Sequence, residues 1–204
     1  MTKVIGITGG IGSGKSIIGK ILTTMGYPVY YSDQEAKWVM NNDPHLRNEL
    51  ITVFGEQAYM NGELNRPYLA EKIFTSPELK EQINRIVHPR VRQRFTDFVT
   101  QSNSPLVFNE AAILFETGGY KDFDATILVV ADKETRIQRV MERDNISRQQ
   151  VEDRMNNQWS DEQKLKLTNI VIHNNETDLL VTQVLELLSF EFWVQPFDKL
   201  RVKV

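Results

Sequence analysis

An α/β fold with a parallel sheet covered by helices is predicted by three observations. Short apolar, β-branched runs alternate with helical segments along most of the chain. A glycine-rich loop joins the first run directly to the first helix, and the long stretch 34–104 carries helical patterns with no strand signal. Strands separated by helices imply parallel pairing, because a crossover long enough to hold a helix returns the chain in the same direction. Right-handed crossovers then bring the strand C-termini to one edge, where ligands bind.

The first run, Val4–Thr8, leads into GGIGSGKS at residues 9–16. This is a complete GxxxxGKS phosphate-binding loop, a pattern that average residue usage would produce by chance in such a chain only about 1 % of the time. Ile17, Ile18, Ile21, Leu22 and Met25 follow at a helical period, and Gly26 stands where a helix would stop. The loop therefore opens a helix. Its Gly10, Ile11, Gly12, Ser13, Gly14, Lys15 and Ser16 can turn backbone N–H groups toward a phosphate, aided by the helix N-terminus. Lys15 is suited to the β and γ phosphates and the Ser16 hydroxyl to Mg²⁺. A dinucleotide-binding GxGxxG counted from Gly10 fails, because Lys15 occupies the third glycine position.

Four further runs read as strands: Tyr27–Tyr31, Pro105–Phe108, Ala125–Val130 and Asn169–His173. Asp33, Glu110 and Asp132 follow the second, third and fourth strands, which puts all three acidic groups on the phosphate-loop edge. Between them, the helical insertion of residues 34–104 shows Leu46, Leu50, Ile51 and Phe54, then Leu79, Ile83, Ile86 and Val87, on helical faces. Ser76 and Pro77 make an N-cap and first-turn pair, and Pro89 interrupts the pattern after His88. A second insertion, 139–166, is arginine-rich, poor in core residues and carries two Ser-x-x-Gln capping boxes, Ser147 with Gln150 and Ser160 with Gln163, a pattern that suits a mobile lid. Leu179, Leu180, Val184, Leu187 and Leu188 mark a last helix over 177–192. The core is thus 1–33, 105–138 and 167–192 of a single domain; the tail 193–204 has no assigned role.

Composition narrows the partners. A chain of 204 residues with 41 % hydrophobic content supports one substantial core. A formal net charge of −3 gives no basic stripe for nucleic acid or an anionic membrane. The absence of cysteine rules out disulfides and thiolate metal sites. With no leader-like or membrane-spanning segment in view, a cytoplasmic location is expected, and the oligomeric state stays open.

Chemistry beyond nucleotide binding rests on a few side chains. Asp33 is placed to take a proton from a hydroxyl attacking the γ-phosphate; it equally reads as the N-cap of a helix starting at Gln34, and one residue can do both. Arginines 136, 139, 143, 148 and 154 supply cations, and the spacing of 136, 139 and 143 puts three on one helix face, with Arg139 and Arg143 the better candidates for charge on the transferred group. Glu110 reads either as an acidic group that orients Mg²⁺ or as a buried cap or ion-pair partner. Two other readings share the phosphate loop: a kinase acting on nucleosides or nucleoside monophosphates, and a nucleotide switch. A guanine-reading Asn-Lys-x-Asp is not present.

The chain resembles the dephospho-coenzyme A kinase family. The resemblance is carried by IGITGGIGSGKS at 5–16, SDQEAK at 32–37, IVHPRVR at 86–92, AAILFE at 111–116, QRVMERD at 138–144, DRMNNQ at 153–158 and NIVIHN at 169–174. It implies a P-loop nucleoside triphosphate hydrolase fold and ATP-dependent phosphorylation of the ribose 3′-hydroxyl of dephospho-coenzyme A, the last step of coenzyme A synthesis. It further implies Asp33 as base, ATP and Mg²⁺ as cofactors, an acceptor-binding helical insertion with His88, Arg90 and Arg92 near the substrate, and closure of residues 139–158 over ATP. Tyr31, the Ala112–Ile113 pair and the Thr168–Asn169 pair depart from the family's usual residues, where Asp, Pro-Leu and Ala-Asp are common.

Overall fold

The computed structural model describes residues 2–189 and 202–203, which form two compact units: 2–30 with 102–189 and 202–203, and 31–101. In the first unit a six-stranded sheet has the order β2-β5-β1-β6-β7-β8, where β1 is Lys3–Thr8, β2 Val29–Tyr31, β5 Leu106–Glu110, β6 Ala125–Val130, β7 Ile170–His173 and β8 Val202–Lys203. The pairings β1–β5, β1–β6, β6–β7 and β7–β8 are all parallel, with Ile5 opposite Phe108 and Ala125. The four runs read from sequence are strands, with ends shifted by at most two residues.

The central strands are buried along nearly their whole length because helices cover both faces. Helix α1 (Lys15–Thr24) contributes Ile18 and Leu22 to a core with Ile5, Ile7, Phe108, Ile127, Val129, Ile170 and Ile172, joined by Val184 and Leu187. Each such side chain stabilises the fold by roughly 1.5–3 kcal/mol. Gly26 ends α1 at φ 87°, and Tyr27 N–H reaches back to the Leu22 carbonyl at 3.0 Å, satisfying a terminal acceptor.

The second unit begins with α2 (Ser32–Asn42) and α3 (Pro44–Phe54), the latter capped by Asp43 Oδ1, which accepts from His45 and Leu46 N–H at 2.9 and 3.1 Å. It continues through a hairpin, β3 (Tyr59–Met60) with β4 (Glu63–Leu64), to α4 (Arg66–Thr75) and α5 (Pro77–Gln101). Leu46, Leu50, Phe54, Leu69, Ile83 and Val87 form its own core.

Two expectations for this region are corrected. A short antiparallel hairpin lies within a stretch that reads as wholly helical; Asn61 (φ 54°) and Gly62 (φ 87°) supply the two positive-φ residues of its turn. The helix also runs through Pro89 instead of breaking there. An interior proline costs about 3 kcal/mol or more, and burial of Ile83 and Val87, with Ile86 and Val91 packed alongside, holds both halves on one core.

Back in the first unit, α6 (Lys133–Asp144), α7 (Arg148–Asn156) and α8 (Asp161–Leu165) follow β6. Both capping boxes form, at Ser147–Gln150 and Ser160–Gln163. Position 139, read as a lid boundary, is the middle of α6. Nor does the segment lack a core: Ile137, Val140 and Val151 are buried, with Ile11, Met141, Ile146 and Met155 against them. The last helix, α9, spans Leu180–Leu188, shorter than the predicted 177–192. Residues 190–192 and the tail 193–204 lie outside the described residues, apart from the β8 pairing. No helix among the described residues is long and apolar enough to cross a membrane.

Candidate active site

The phosphate loop runs from the end of β1 to the start of α1. Ser13 N–H bonds to the Gly10 carbonyl at 3.1 Å and Ile17 N–H to the Gly14 carbonyl at 2.9 Å, curling the chain into the helix. Gly14 is the N-cap residue at φ 92° and Gly12 sits at φ 80°, conformations that strain a residue with a Cβ. There is also no room: a Cβ on Gly14 would overlap the Asn174 amide, and one on Gly12 the Arg136 backbone. The helix N-terminus, with its partial positive charge, is a ready anion site. Lys15 lies over the loop, its Nζ 3.4 Å from the Gly10 carbonyl, and Ser16 is exposed on the first turn.

Glu110 ends β5 opposite Ile7, two residues before the loop, and is 8 % exposed. Ser16 and Glu110 are hard oxygen donors of the kind Mg²⁺ accepts. Among the described residues no three His, Cys, Asp or Glu side chains cluster to hold a metal. A site built from one or two protein oxygens, with the rest supplied by nucleotide phosphates and water, is the usual arrangement for Mg²⁺. Asp132, the third acidic group expected at this edge, is exposed at the start of α6, its N–H bonded to Asn175 Oδ1 at 2.8 Å.

The arginines of α6 share a face but reach different partners. Arg136 Nε donates to the Ile11 carbonyl at 3.0 Å while its Nη1 pairs with Asp161 at 2.8 Å. Arg139 Nη1 donates to the Asn174 carbonyl at 2.9 Å. Arg143 makes two hydrogen bonds to Asp144, at 2.7 and 3.1 Å, and these hold that carboxyl below the usual range, with Arg154 adding to the effect. Arg148 likewise forks onto Glu134, which it holds low. In this state Arg143 is thus committed to an acidic neighbour, and Arg136 is the α6 arginine in contact with the phosphate loop.

Asp33 belongs to the second unit. Helix α2 starts at Ser32, so Tyr31 is the cap residue and Asp33 is exposed within the first turn, where a carboxylate suits the helix dipole. The N-cap reading of Asp33 is therefore set aside. His88, Arg90 and Arg92 lie in the middle of α5. Arg90 is 3.5 Å from Glu49 and 3.9 Å from Asp43. His88 and Arg92, four apart, share a face; burial and then the Arg92 charge push the His88 imidazole below its ordinary pKa.

Three long-range contacts hold the loop, two of them from residues that sequence reasoning did not single out, Gln158 and Asn174. Gln158 Oε1 accepts the Ile11 N–H at 2.8 Å, Asn174 Nδ2 donates to the Ser13 carbonyl at 2.8 Å, and Arg136 holds the Ile11 carbonyl. Gln158 and Asn174 close two of the segments that carry the family resemblance, the one available signal. Behind Gln158, the fully buried Lys164 Nζ lies 3.1 Å from Glu116 Oε1, which also accepts the Trp159 N–H at 3.1 Å.

A GxxxxGKS loop opening a helix at the end of the central strand of a parallel sheet, rimmed by basic groups, defines a nucleoside-triphosphate-binding protein of the P-loop class. The family model described as CoaE, dephospho-CoA kinase, matches residues 3–179. A dephospho-CoA kinase of Bacteroides fragilis is 41 % identical over 187 residues, covering 91 % of both proteins. Among solved structures, a Thermus thermophilus protein superposes with a TM-score of 0.83 at 36 % identity, covering 91 % of this chain and 95 % of the other. A dephospho-CoA kinase from Campylobacter jejuni, 23 % identical with a TM-score of 0.67 over 93 % and 98 % of the two chains, shares the fold. The chain belongs to the dephospho-CoA kinase family, which phosphorylates the 3′-hydroxyl of dephospho-CoA at the expense of ATP in the final step of coenzyme A biosynthesis.

Proposed function

We propose that this chain carries out its family's reaction with Asp33 as general base, the phosphate loop and Lys15 as the cradle of ATP, and Ser16 and Glu110 as protein ligands of Mg²⁺. The observation that carries the reading is the loop at the α1 N-terminus, with the glycines at 12 and 14 in the positive-φ conformations the curl requires. The acceptor's 3′-oxygen attacks the γ-phosphorus, its proton passes to the Asp33 carboxylate, and the bond from the γ-phosphorus to the β,γ-bridging oxygen breaks to release ADP. Bound Mg²⁺ would supply charge neutralisation on the triphosphate.

Little covalent work falls to the protein in such a transfer; positioning and charge stabilisation do most of it. Lys15 meets the developing charge on the transferred group. Arg139 and Arg143 serve ATP from α6, with residues 139–166 closing as a lid, and closure requires Arg143 to exchange Asp144 for phosphate. The 34–104 region binds the acceptor, whose phosphates Arg90 and Arg92 would meet as cations, with His88 beside them. The protein acts in the cytoplasm, without nucleic acid or membrane.

The test is ATP consumption with Mg²⁺ in the presence of dephospho-CoA, adenosine or AMP. Stimulation by dephospho-CoA alone, with a product one phosphoryl group heavier, is the expected result. Stimulation only by adenosine or AMP would replace the acceptor, and acceptor-independent hydrolysis would remove the kinase reading.

A further inference from the structure

The Ile11 peptide is held from both sides by side chains more than a hundred residues away. Its N–H, part of the Gly10–Ile11 peptide, donates to Gln158 Oε1 at 2.8 Å; its carbonyl, part of the Ile11–Gly12 peptide, accepts from Arg136 Nε at 3.0 Å. The residues on either side are glycines, which offer the least resistance to peptide rotation. A rotated peptide in a phosphate loop turns a carbonyl oxygen toward the place of an anion, where it repels instead of binding. Two directional bonds on the one non-glycine residue between Gly10 and Gly12 remove that freedom.

Each arm of the clamp is itself secured. The Arg136 side chain is 11 % exposed and its Nη1 pairs with Asp161 at 2.8 Å, so moving the guanidinium away would break a largely buried ion pair. Gln158 is followed by Trp159, whose N–H is fixed by Glu116, and Glu116 is tied to the fully buried Lys164. The guanidinium also packs so closely on Gly10 that a Cβ there would collide with it.

We propose that Arg136 and Gln158 are positioning residues that set the phosphate loop in its binding shape before nucleotide arrives, with Asp161 aligning Arg136. The proposal rests on the reading that this loop binds ATP. Neither side chain needs to touch the reacting atoms. Their effect therefore falls on nucleotide binding: loss of either arm raises the Kd and KM for ATP and leaves kcat and the KM for the acceptor close to wild type.

The experiment measures Ile11 amide exchange by NMR, ATP binding by calorimetry and steady-state kinetics for wild type, Arg136→Met, Gln158→Met, Asp161→Ala and Asp161→Asn, with melting temperatures for each. Arg136→Met and Gln158→Met are expected to weaken ATP binding by about 3- to 10-fold, the worth of one hydrogen bond of this kind, and Gln158→Met to speed Ile11 exchange as well. Asp161→Asn, which keeps an acceptor for Arg136, is expected to bind ATP more tightly than Asp161→Ala. Folded variants with wild-type ATP affinity, even with lowered melting temperatures, would overturn the clamp and leave these residues a purely structural role. Failure of the wild-type protein itself to bind ATP would instead overturn the reading of the loop.

Discussion

Asn174 and Ser13 stand 161 positions apart in the chain, yet the Asn174 amide donates to the Ser13 carbonyl at 2.8 Å and is itself buried. One hydrogen bond thus fastens the end of β7 to the phosphate loop. Asn174→Ala leaves that carbonyl without its partner and removes the group against which Gly14 packs. A loss of about 1–3 kcal/mol in unfolding free energy is expected, measured by urea titration, together with weaker ATP binding. Gly14→Ala should be worse, combining left-handed backbone strain with overlap on the Asn174 amide.

Lys15→Ala and Asp33→Asn are expected to fail in different ways. The first removes the cation that meets the β and γ phosphates and should lower kcat/KM by orders of magnitude with an unchanged melting temperature. The second should lower kcat by about 10²- to 10⁴-fold while ATP affinity, read by calorimetry, stays near wild type. Unchanged turnover in Asp33→Asn would remove that residue from the role of base.

Lys164 and Glu116 test the energetics of a buried ion pair. Lys164→Met leaves the Glu116 carboxylate, whose side chain is 14 % exposed, without its cation. Breaking such a pair from one side costs about 3–5 kcal/mol. Adding Glu116→Gln to the same chain should recover much of the loss, because the Trp159 N–H keeps an acceptor. Equal destabilisation in the single and double variants would show that the two groups are not coupled.

His88 makes stability depend on pH. Its folded pKa lies below the ordinary value of 6.5, chiefly from burial. The unfolded chain therefore binds the proton more readily, and the contribution is complete above about pH 6.5 and is lost as pH falls from there through the folded pKa. Unfolding free energy measured between pH 5 and 8 should decline on the acid side, and the decline should be shallower in His88→Gln. Identical pH profiles for the two proteins would refute this assignment.

What the sequence discloses is what has a local cause. The loop, α1 and its Gly26 stop, both capping boxes and the Ser76 cap on α5, with Leu79 N–H on Ser76 Oγ at 3.2 Å, follow from residues within a few positions of one another. Asn61–Gly62 was also a local signal, a two-residue hairpin turn, but strands of two residues leave no alternation to notice. Pro89 misleads for the opposite reason: the local rule says break, and packing in the second core outweighs it. Arg136, Gln158 and Asn174 have no local cause at all. Their partners lie 125, 147 and 161 positions away, and no spacing pattern reports such a contact.

The order of the chain gives the long reach of these contacts a further meaning during synthesis. Strand β1 and the nucleotide loop are made before their partners: β5 begins at Leu106 and the side chains that grip the loop arrive only at 136, 158 and 174. Residues 31–101, by contrast, are contiguous and have every member of their own core in hand once translated. The nascent chain therefore carries β1 for about a hundred residues of elongation before its neighbours in the sheet exist, and the nucleotide loop becomes competent only after the distant residues that grip it have been added.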